Sequence, residues 1–309
     1  MKILQFLRVV CLAVLVSTLV VSLQFGIDPM RDLVRYVSGS PHDRYAVMLT
    51  WGPHAGTPSA QAWLHSAEGS VAAAVALKGS TQTVRFEGDA PSAAAFAVTL
   101  RRGQRFVVEP AIDAAADDRV FIDLLRRDES SVASVAYATE PGAAMEVEIE
   151  RDGEYVVRIQ PELGAAAVVA LSTRMEPTLR LPVEQSGRRS IGSLYGAPRD
   201  GGRRDHHGVD IFAKRGTPVV AASSGIVTHV GTNGLGGKVV WISRPMRGEA
   251  HYYAHLDEQL VTVGTHVEEG DVIGRVGNTG NARSTPPHLH FGIYTPGGAV
   301  DPLPYLADL

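Results

Sequence analysis

Cysteine is almost absent. The 309 residues hold one, Cys11, so no disulfide can close within the chain and stability must come from packing or from a metal. Aromatic residues are scarce at 6%, against 32 glycines and 18 prolines, which disfavours a long-helix bundle and favours short strands joined by many turns. A surplus of either charge is lacking too: 29 Lys+Arg against 33 Asp+Glu leave a net charge of -4. Nothing in that balance draws the chain to nucleic acid, and no nucleic-acid partner is expected. What is present is a hydrophobic content of 45%, enough for a core and too much for a disordered chain. The length suits one large domain or two ordinary ones.

Lys2 and Arg8 precede an apolar run from Val9 to Leu23, broken only by Ser17, Thr18 and Ser22. A basic start feeding an apolar run is the pattern of export or insertion. The charge-free stretch from Val9 to Ile27 is about long enough to cross a bilayer, which takes roughly 17–25 helical residues. No A-x-A cleavage sequence follows, so a retained membrane anchor over residues 1–29 is expected, with a cleaved signal peptide as second choice. Cys11 lies inside the run, which argues against a lipidated N-terminus.

Residues 30–78 carry weak patterning. Ser59 to Leu77 is rich in alanine and helix-like, though Gly69 interrupts it. From Thr81 strand-length runs take over: Val84–Phe86, Ala95–Leu100, Phe106–Glu109, Val120–Leu125, Met145–Glu150 and Tyr155–Ile159. Met145, Val147 and Ile149 alternate with Glu146, Glu148 and Glu150, which places acids on one face and apolar side chains on the other. Arg102-Gly103 and Asp152-Gly153 read as turns. A small antiparallel β-sandwich is expected within 30–183, closed by Ala165–Leu171 before Pro177 and Pro182. No polar constellation there suggests catalysis, so it reads as an accessory domain.

Residues 184–204 are basic, with Arg188, Arg189, Arg199, Arg203 and Arg204. They read as a solvated linker face, close enough to the next segment to help hold an anionic substrate. From there to Leu309 the runs are again of strand length: Pro218–Ala222, Gly225–Val230, Lys238–Ile242, His251–Ala254, Val272–Val276 and His290–Tyr294. A second, antiparallel β-sheet domain over 184–309 follows.

The chemistry concentrates in three places: His206-His207-Gly208-Val209-Asp210, His255 at the end of an aromatic strand, and His288-Leu289-His290. Neutral imidazole and carboxylate suit Zn²⁺, and a catalytic zinc needs three protein ligands with a fourth position open. His288 and His290 are two apart, so an extended strand puts both on one face. His206 and His207 are adjacent and either could bind metal; the even spacing to Asp210 favours His206. Gly208 allows a tight local path between them. Five polar groups exceed a three-ligand set, leaving two to move protons and stabilise charge. The bland alternative, ordinary surface or core histidines, fits poorly with three segments that each pair His with Gly, Pro or aromatics.

These segments resemble the lysostaphin-like zinc metallopeptidases of the M23 family, the LytM-type peptidoglycan endopeptidases. The resemblance covers about Ser190 to Pro302 and rests on four motifs in order: H-x-G-x-D at His206–Asp210, Gly-Thr-Pro-Val at Gly216–Val219, Tyr-x-His-Leu at Tyr253–Leu256, and Gly277-Asn-Thr-Gly280 leading to His288-Leu-His290-Phe. It implies zinc held by His206, Asp210 and His290, with His288 as general base and His255 as hydrogen-bond donor to the oxyanion. It further implies hydrolysis of peptide cross-links in bacterial peptidoglycan, with peptide stems and an envelope regulatory protein as partners. With the N-terminal run, it implies an enzyme of the bacterial cell envelope, anchored in the inner membrane and facing the periplasm. The family often carries an acidic residue directly after the final motif, where this chain has Gly292.

Two other readings compete. One keeps the fold without the chemistry, a LytM-like domain that binds cell wall or activates an amidase; the presence of all five polar positions weighs against it. The other is a lipoyl- or biotinyl-type carrier, suggested by Val263-Gly-Thr-His-Val-Glu-Glu-Gly-Asp-Val-Ile-Gly274. A carrier needs a lysine at a tight turn, and Lys238 opens an apolar strand instead. That stretch reads better as a structural hairpin with Gly264 and Gly270 at its turns. Gly234-Leu-Gly-Gly237 lacks the G-K-[ST] of a phosphate loop and reads as a tight turn at the cleft rim.

Overall fold

The computed structural model describes residues 29–129, 131–140, 142–184 and 188–306. The chain divides into two units, the first of residues 1–99, 108–145 and 153–173, the second of residues 100–107, 146–152 and 174–309.

The first unit begins with three helices, α1 (Pro29–Ser38), α2 (Pro41–Trp51) and α3 (Pro58–Ala72). α2 starts where it does because Ser40 and Asp43 form a reciprocal capping box ahead of Pro41. α3 starts on Thr57, whose hydroxyl accepts from the Ala60 amide. It runs through Gly69, where a Cβ would meet nothing within 4 Å, so the expected interruption is absent.

Nine strands follow along the chain: β1 (Val75–Ala76), β2 (Thr81–Phe86), β3 (Ala94–Leu100), β4 (Gln104–Ala114), β5 (Val120–Arg127), β6 (Val132–Tyr137), β7 (Met145–Glu148), β8 (Gly153–Pro161) and β9 (Ala167–Pro177). The end of β3, the start of β4, most of β7 and the end of β9 fall in the second unit. They form a sheet in the order β1-β3-β8-β5-β6 and another in the order β2-β9-β4-β7. α2 and α3 cover the first sheet. Ala46, Leu49, Ala60, Trp63 and Phe121 make one buried cluster there, and Val71, Ala95, Leu125 and Val156 another. Ile122, Leu124, Val157 and Ile159, on the other face, are also buried. Both faces being covered explains why Val120–Leu125 does not alternate, with Asp123 its one polar residue and that one paired with Arg158. The expected antiparallel sandwich is therefore corrected twice. A helical layer covers one sheet, and β1 joins β3 in parallel because β2 crosses to the other sheet between them and no hairpin links the pair.

The expected membrane anchor is corrected as well, and with it the membrane as a partner and the inner-membrane location. No helix among the described residues is long and apolar enough to cross a membrane. The longest, α3, has 15 residues, about 22 Å against a hydrocarbon thickness of about 30 Å. The run on which that expectation stood, Val9 to Ile27, lies outside the described residues.

The second unit contributes β10 (Ile191–Ser193), β11 (Pro198–Arg199), β12 (Arg204–Asp205), β13 (Val209–Phe212), β14 (Pro218–Val220), β15 (Gly225–Asn233), β16 (Gly237–Arg244), β17 (Glu249–Gln259), β18 (His266–Val267), β19 (Val272–Val276), β20 (His288–Thr295) and β21 (Gly298–Val300). The main path runs β10-β13-β20-β17-β16-β15-β18, with β11-β12 a separate ribbon. Val209, Ile211, Ile242, Tyr253, Leu289, Phe291 and Ile293 point to one side and form a core that water does not reach. Period-two alternation then sends Asp210, Tyr252, His288 and His290 to the opposite face. Gly264 and Gly270 do sit at turns, with φ of 89° and 91°. The hairpin expected between them does not form: β18 pairs with β15, whereas β19 pairs with β14 and β17. Lys238 lies in β16, and its ammonium donates to the Asp257 carbonyl at 2.7 Å.

Candidate metal centre

Strand register builds most of the site. Across β13, β20 and β17, Asp210 lies opposite His290 and His290 opposite Ala254, while Phe212 lies opposite His288. His290 and His288 therefore share a face beside Asp210, as the two-residue spacing requires. Ala254 keeps the neighbouring position low and leaves room above the row.

His206 arrives by another route. His206 is the histidine that meets Asp210 and His290, but even spacing is not the reason, because β13 starts only at Val209 and His206 lies outside it. Its backbone continues the β11–β12 ribbon, donating to the Ala197 carbonyl at 2.9 Å and accepting from Gly196 at 2.8 Å. A bend at Gly208 then folds the chain back over His290. A Cβ at Gly208 would lie 2.4 Å from the Phe291 carbonyl and 2.8 Å from His290 Cε1, so the missing side chain makes this approach possible. His207 turns outward, exposed, with its ring 6.5 Å from that of Tyr195.

His255 needs a bulge. Tyr253 faces the core, so regular alternation would send His255 there too. The pairing of β17 with β16 instead slips between Tyr253 and Leu256, and His255 takes a left-handed φ of 61°. Its amide donates to the Gly236 carbonyl at 2.7 Å, and its ring turns into the cleft, 5.0 Å from His288. This backbone cost is held by hydrogen bonds to Gly236 and Thr279.

Three donor atoms converge. His206 Nε2 and His290 Nδ1 are 2.8 Å apart, and Asp210 Oδ1 is 3.0 Å from each. His206 Nδ1 lies 2.8 Å from the Leu194 carbonyl and must be the protonated nitrogen, which leaves Nε2 of the neutral ring with a bare lone pair. One proton on His290 Nδ1 could satisfy one of the remaining contacts and no more. Three lone pairs aimed at one point fit a cation, and two imidazoles with one carboxylate fit zinc. For Asp210, burial alone would raise the carboxyl pKa, but contacts with His206 and His290 hold it well below the carboxylate range. Burial lowers the pKa of His290, and it lowers that of His255 to about 4, helped by the neighbouring His288 and His290. Neutral rings are the forms that bind metal and accept protons.

The remaining two histidines are oriented alike. His255 Nδ1 donates to the Thr279 carbonyl at 2.9 Å, and His288 Nδ1 to the Pro286 carbonyl at 2.9 Å. In its neutral form each ring therefore keeps its lone pair on Nε2. The cleft around them has a volume of about 970 Å³, and Gly234, Leu235 and Gly236 form part of its rim. Trp241, Tyr252 and Tyr294 line one wall, with Trp241 4.5 Å from Tyr252 and 5.0 Å from Tyr294 between ring centres.

Residues 204–302 match Peptidase family M23. Over these residues the chain belongs to peptidase family M23. The chain is 41% identical over 129 residues to the L-Ala-D-Glu endopeptidase of Bacillus subtilis, a match covering 38% of this chain and 39% of that protein. It is 40% identical over 106 residues to lysostaphin of Staphylococcus simulans, covering 33% and 21%. It is 43% identical over 100 residues to the DD-carboxypeptidase/endopeptidase Mpg of Neisseria meningitidis serogroup B, covering 32% and 22%. The chain thus spans about two fifths or less of the length of these relatives. At Gly292, where M23 members often carry an acid, a Cβ would meet the His207 carbonyl at 2.8 Å and the Tyr294 ring at 3.0 Å. An acidic side chain would not fit there without displacing the loop that carries His206.

Arg199, expected within a solvated linker face that could help hold an anionic substrate, instead meets a residue of the cluster. Its guanidinium bonds Asp210 Oδ2 at 2.8 Å, and no spacing rule separates it from its four basic neighbours.

Proposed function

We propose that the M23 segment is a zinc-dependent endopeptidase that hydrolyses peptide cross-links of bacterial peptidoglycan. The observation that carries this is the convergence of His206, Asp210 and His290 beside two histidines whose bare nitrogens share one open cleft. The names of the relatives, which include endopeptidases from three genera, support the reaction type. Residues 30–183 are read as an accessory domain that places or gates the enzyme, and residues 184–309 as the peptidase domain.

His206, Asp210 and His290 would hold the zinc, which supplies Lewis acidity and lowers the pKa of water to about 7. His288 accepts the proton of the attacking water at Nε2 and returns it to the leaving amine. His255 starts as an acceptor, because its one ring proton is committed to Thr279; the second proton of the attacking water would charge it, after which it donates to the oxyanion and gives that proton up to solvent as the carboxylate product leaves. The glycine rim admits an extended peptide close to these groups.

The test is muropeptide release from purified peptidoglycan. The protein should bind about one zinc per chain, lose activity to a chelator and regain it with zinc. His288→Ala should keep its zinc and lose roughly 10²–10⁴-fold in turnover. Turnover that survives chelation, or a fully active His288→Ala, would refute the proposal.

A further inference from the structure

Asp210 has two carboxylate oxygens, and only Oδ1 meets His206 and His290. Oδ2 receives Arg199 Nη2 at 2.8 Å, and the same Nη2 donates to Ser193 Oγ at 2.7 Å. Nη2 carries two hydrogens, so both bonds form at once. Ser193 lies opposite Asp210 in the β10–β13 pairing. Arg199 lies opposite Arg204 in the β11–β12 ribbon that leads into His206. One guanidinium therefore ties together β10, the segment carrying His206 and the strand carrying Asp210. The other nearby arginines are engaged elsewhere: Arg204 pairs with Asp200 at 2.6 Å, and Arg203 donates to the Asp200 carbonyl. The Arg199 and Asp210 side chains are 27% and 11% exposed, so solvent screens this pair less than a surface ion pair.

We propose that Arg199 is a positioning residue for the metal centre: by occupying Oδ2 it fixes the plane of the Asp210 carboxylate and leaves Oδ1 alone to bind zinc. The inference rests on the zinc reading above. An unrestrained carboxylate can turn about its last torsion or offer both oxygens. A guanidinium bonded to Oδ2 and braced on Ser193 permits neither. Outer partners of this kind typically change metal affinity by 10–100-fold when removed. Arg199 is not assigned a step in the reaction, because its observed bonds go to a ligand and a serine.

The test uses the full chain as wild type, Arg199→Ala, Arg199→Lys and Ser193→Ala. The zinc dissociation constant is measured by competition with a chromogenic chelator, and the visible absorption of the cobalt-substituted protein is recorded. Arg199→Ala should bind zinc roughly 10–100-fold more weakly and change the cobalt band, since Oδ2 becomes free to bind. Arg199→Lys keeps the charge without the fork and should fall between wild type and Ala, with Ser193→Ala closest to wild type. Zinc affinity within twofold of wild type and an unchanged cobalt spectrum in Arg199→Ala would overturn the proposal. If Arg199→Ala does not fold, wild-type affinity in Arg199→Lys would overturn it instead. A wild-type protein that binds no zinc would overturn the peptidase reading and this inference together; equal binding by wild type and variant overturns this inference alone.

Discussion

Gly208→Ala probes how His206 reaches the centre. Gly208 does not hold a left-handed φ, so alanine can adopt its backbone conformation and the effect is purely steric. The new Cβ would lie 2.4 Å from the Phe291 carbonyl and 2.8–2.9 Å from two atoms of the His290 ring. Restoring ordinary contact needs about 1 Å of movement at the carbonyl and about 0.5 Å at the ring. The carbonyl cannot yield easily, because Phe291 is paired with Val209 in the β13–β20 ladder. The movement therefore passes to the His206 loop and to His290, both of which carry donor atoms. Overpacking of this kind costs about 1–3 kcal/mol of stability. A displacement near 1 Å at reacting geometry can cost about 10²-fold in rate. Gly208→Ala should lose that stability in urea unfolding, bind zinc at least about tenfold more weakly and release muropeptides about 10²-fold more slowly. A variant within twofold of wild type in both zinc affinity and turnover would show that the loop does not depend on this close approach, and the steric argument would fail.

Two further predictions concern the first unit. Gln160 Nε2 donates to the Trp63 carbonyl, so its Oε1 accepts from His42 Nε2 at 2.7 Å, which leaves His42 Nδ1 buried without a partner. Burial lowers the His42 pKa from 6.5 to about 4. The unfolded chain takes up this proton first, so stability holds above the unfolded pKa and falls as pH drops, by about 3 kcal/mol near pH 4. Urea unfolding followed by tryptophan fluorescence should show this loss in wild type and lack it in His42→Phe; equal pH slopes would refute it. Gly69→Ala, in a helix position with open space around it, should raise unfolding free energy by about 0.5–1 kcal/mol and leave turnover unchanged, and a destabilised variant would contradict the helix geometry.

What could be read of the site from the sequence was whatever depends on period-two geometry. His288 and His290 share a face because they are two apart in a strand, and Leu289 and Phe291 between them fill the core. In the first half of the chain only Met145–Glu150 was read by alternation; most other strands there were marked by the length of their apolar runs and by flanking turns. Both signals missed β6, whose Val132–Val135 segment is exposed at a sheet edge and needs neither alternation nor an apolar run. They missed α1, whose Met30, Leu33, Val34 and Val37 are exposed, so the pattern reports no burial within the described residues. The start of α2 went unread as well, although Ser40-Pro41-His42-Asp43 carries the signal, a capping box around a proline. The bond from Arg199 to Asp210 was not legible, because it depends on the long-range meeting of β10, β11 and β13.

His255 marks the boundary between what pattern supplies and what tertiary structure must add. A flat sheet can offer metal ligands from alternating positions, and Asp210 and His290 come from such positions. It cannot also turn His255 toward them, because Tyr253 claims the core side of the same strand and alternation would send His255 after it. The bulge resolves the conflict by placing a non-glycine residue at a φ of 61°, a conformation that costs L-residues roughly 1–2 kcal/mol. The Gly236 carbonyl on its amide and the Thr279 carbonyl on its ring hold it there. Gly237 and Gly280 make this support possible, since a Cβ on either would collide with the backbone of the other at about 2.4 Å or less. The glycines of the 234–237 and 277–280 turns thus serve the fifth polar residue by letting two loops close on each other, and the strain at His255 is the local cost of bringing a second bare imidazole nitrogen into the same cleft as the metal ligands.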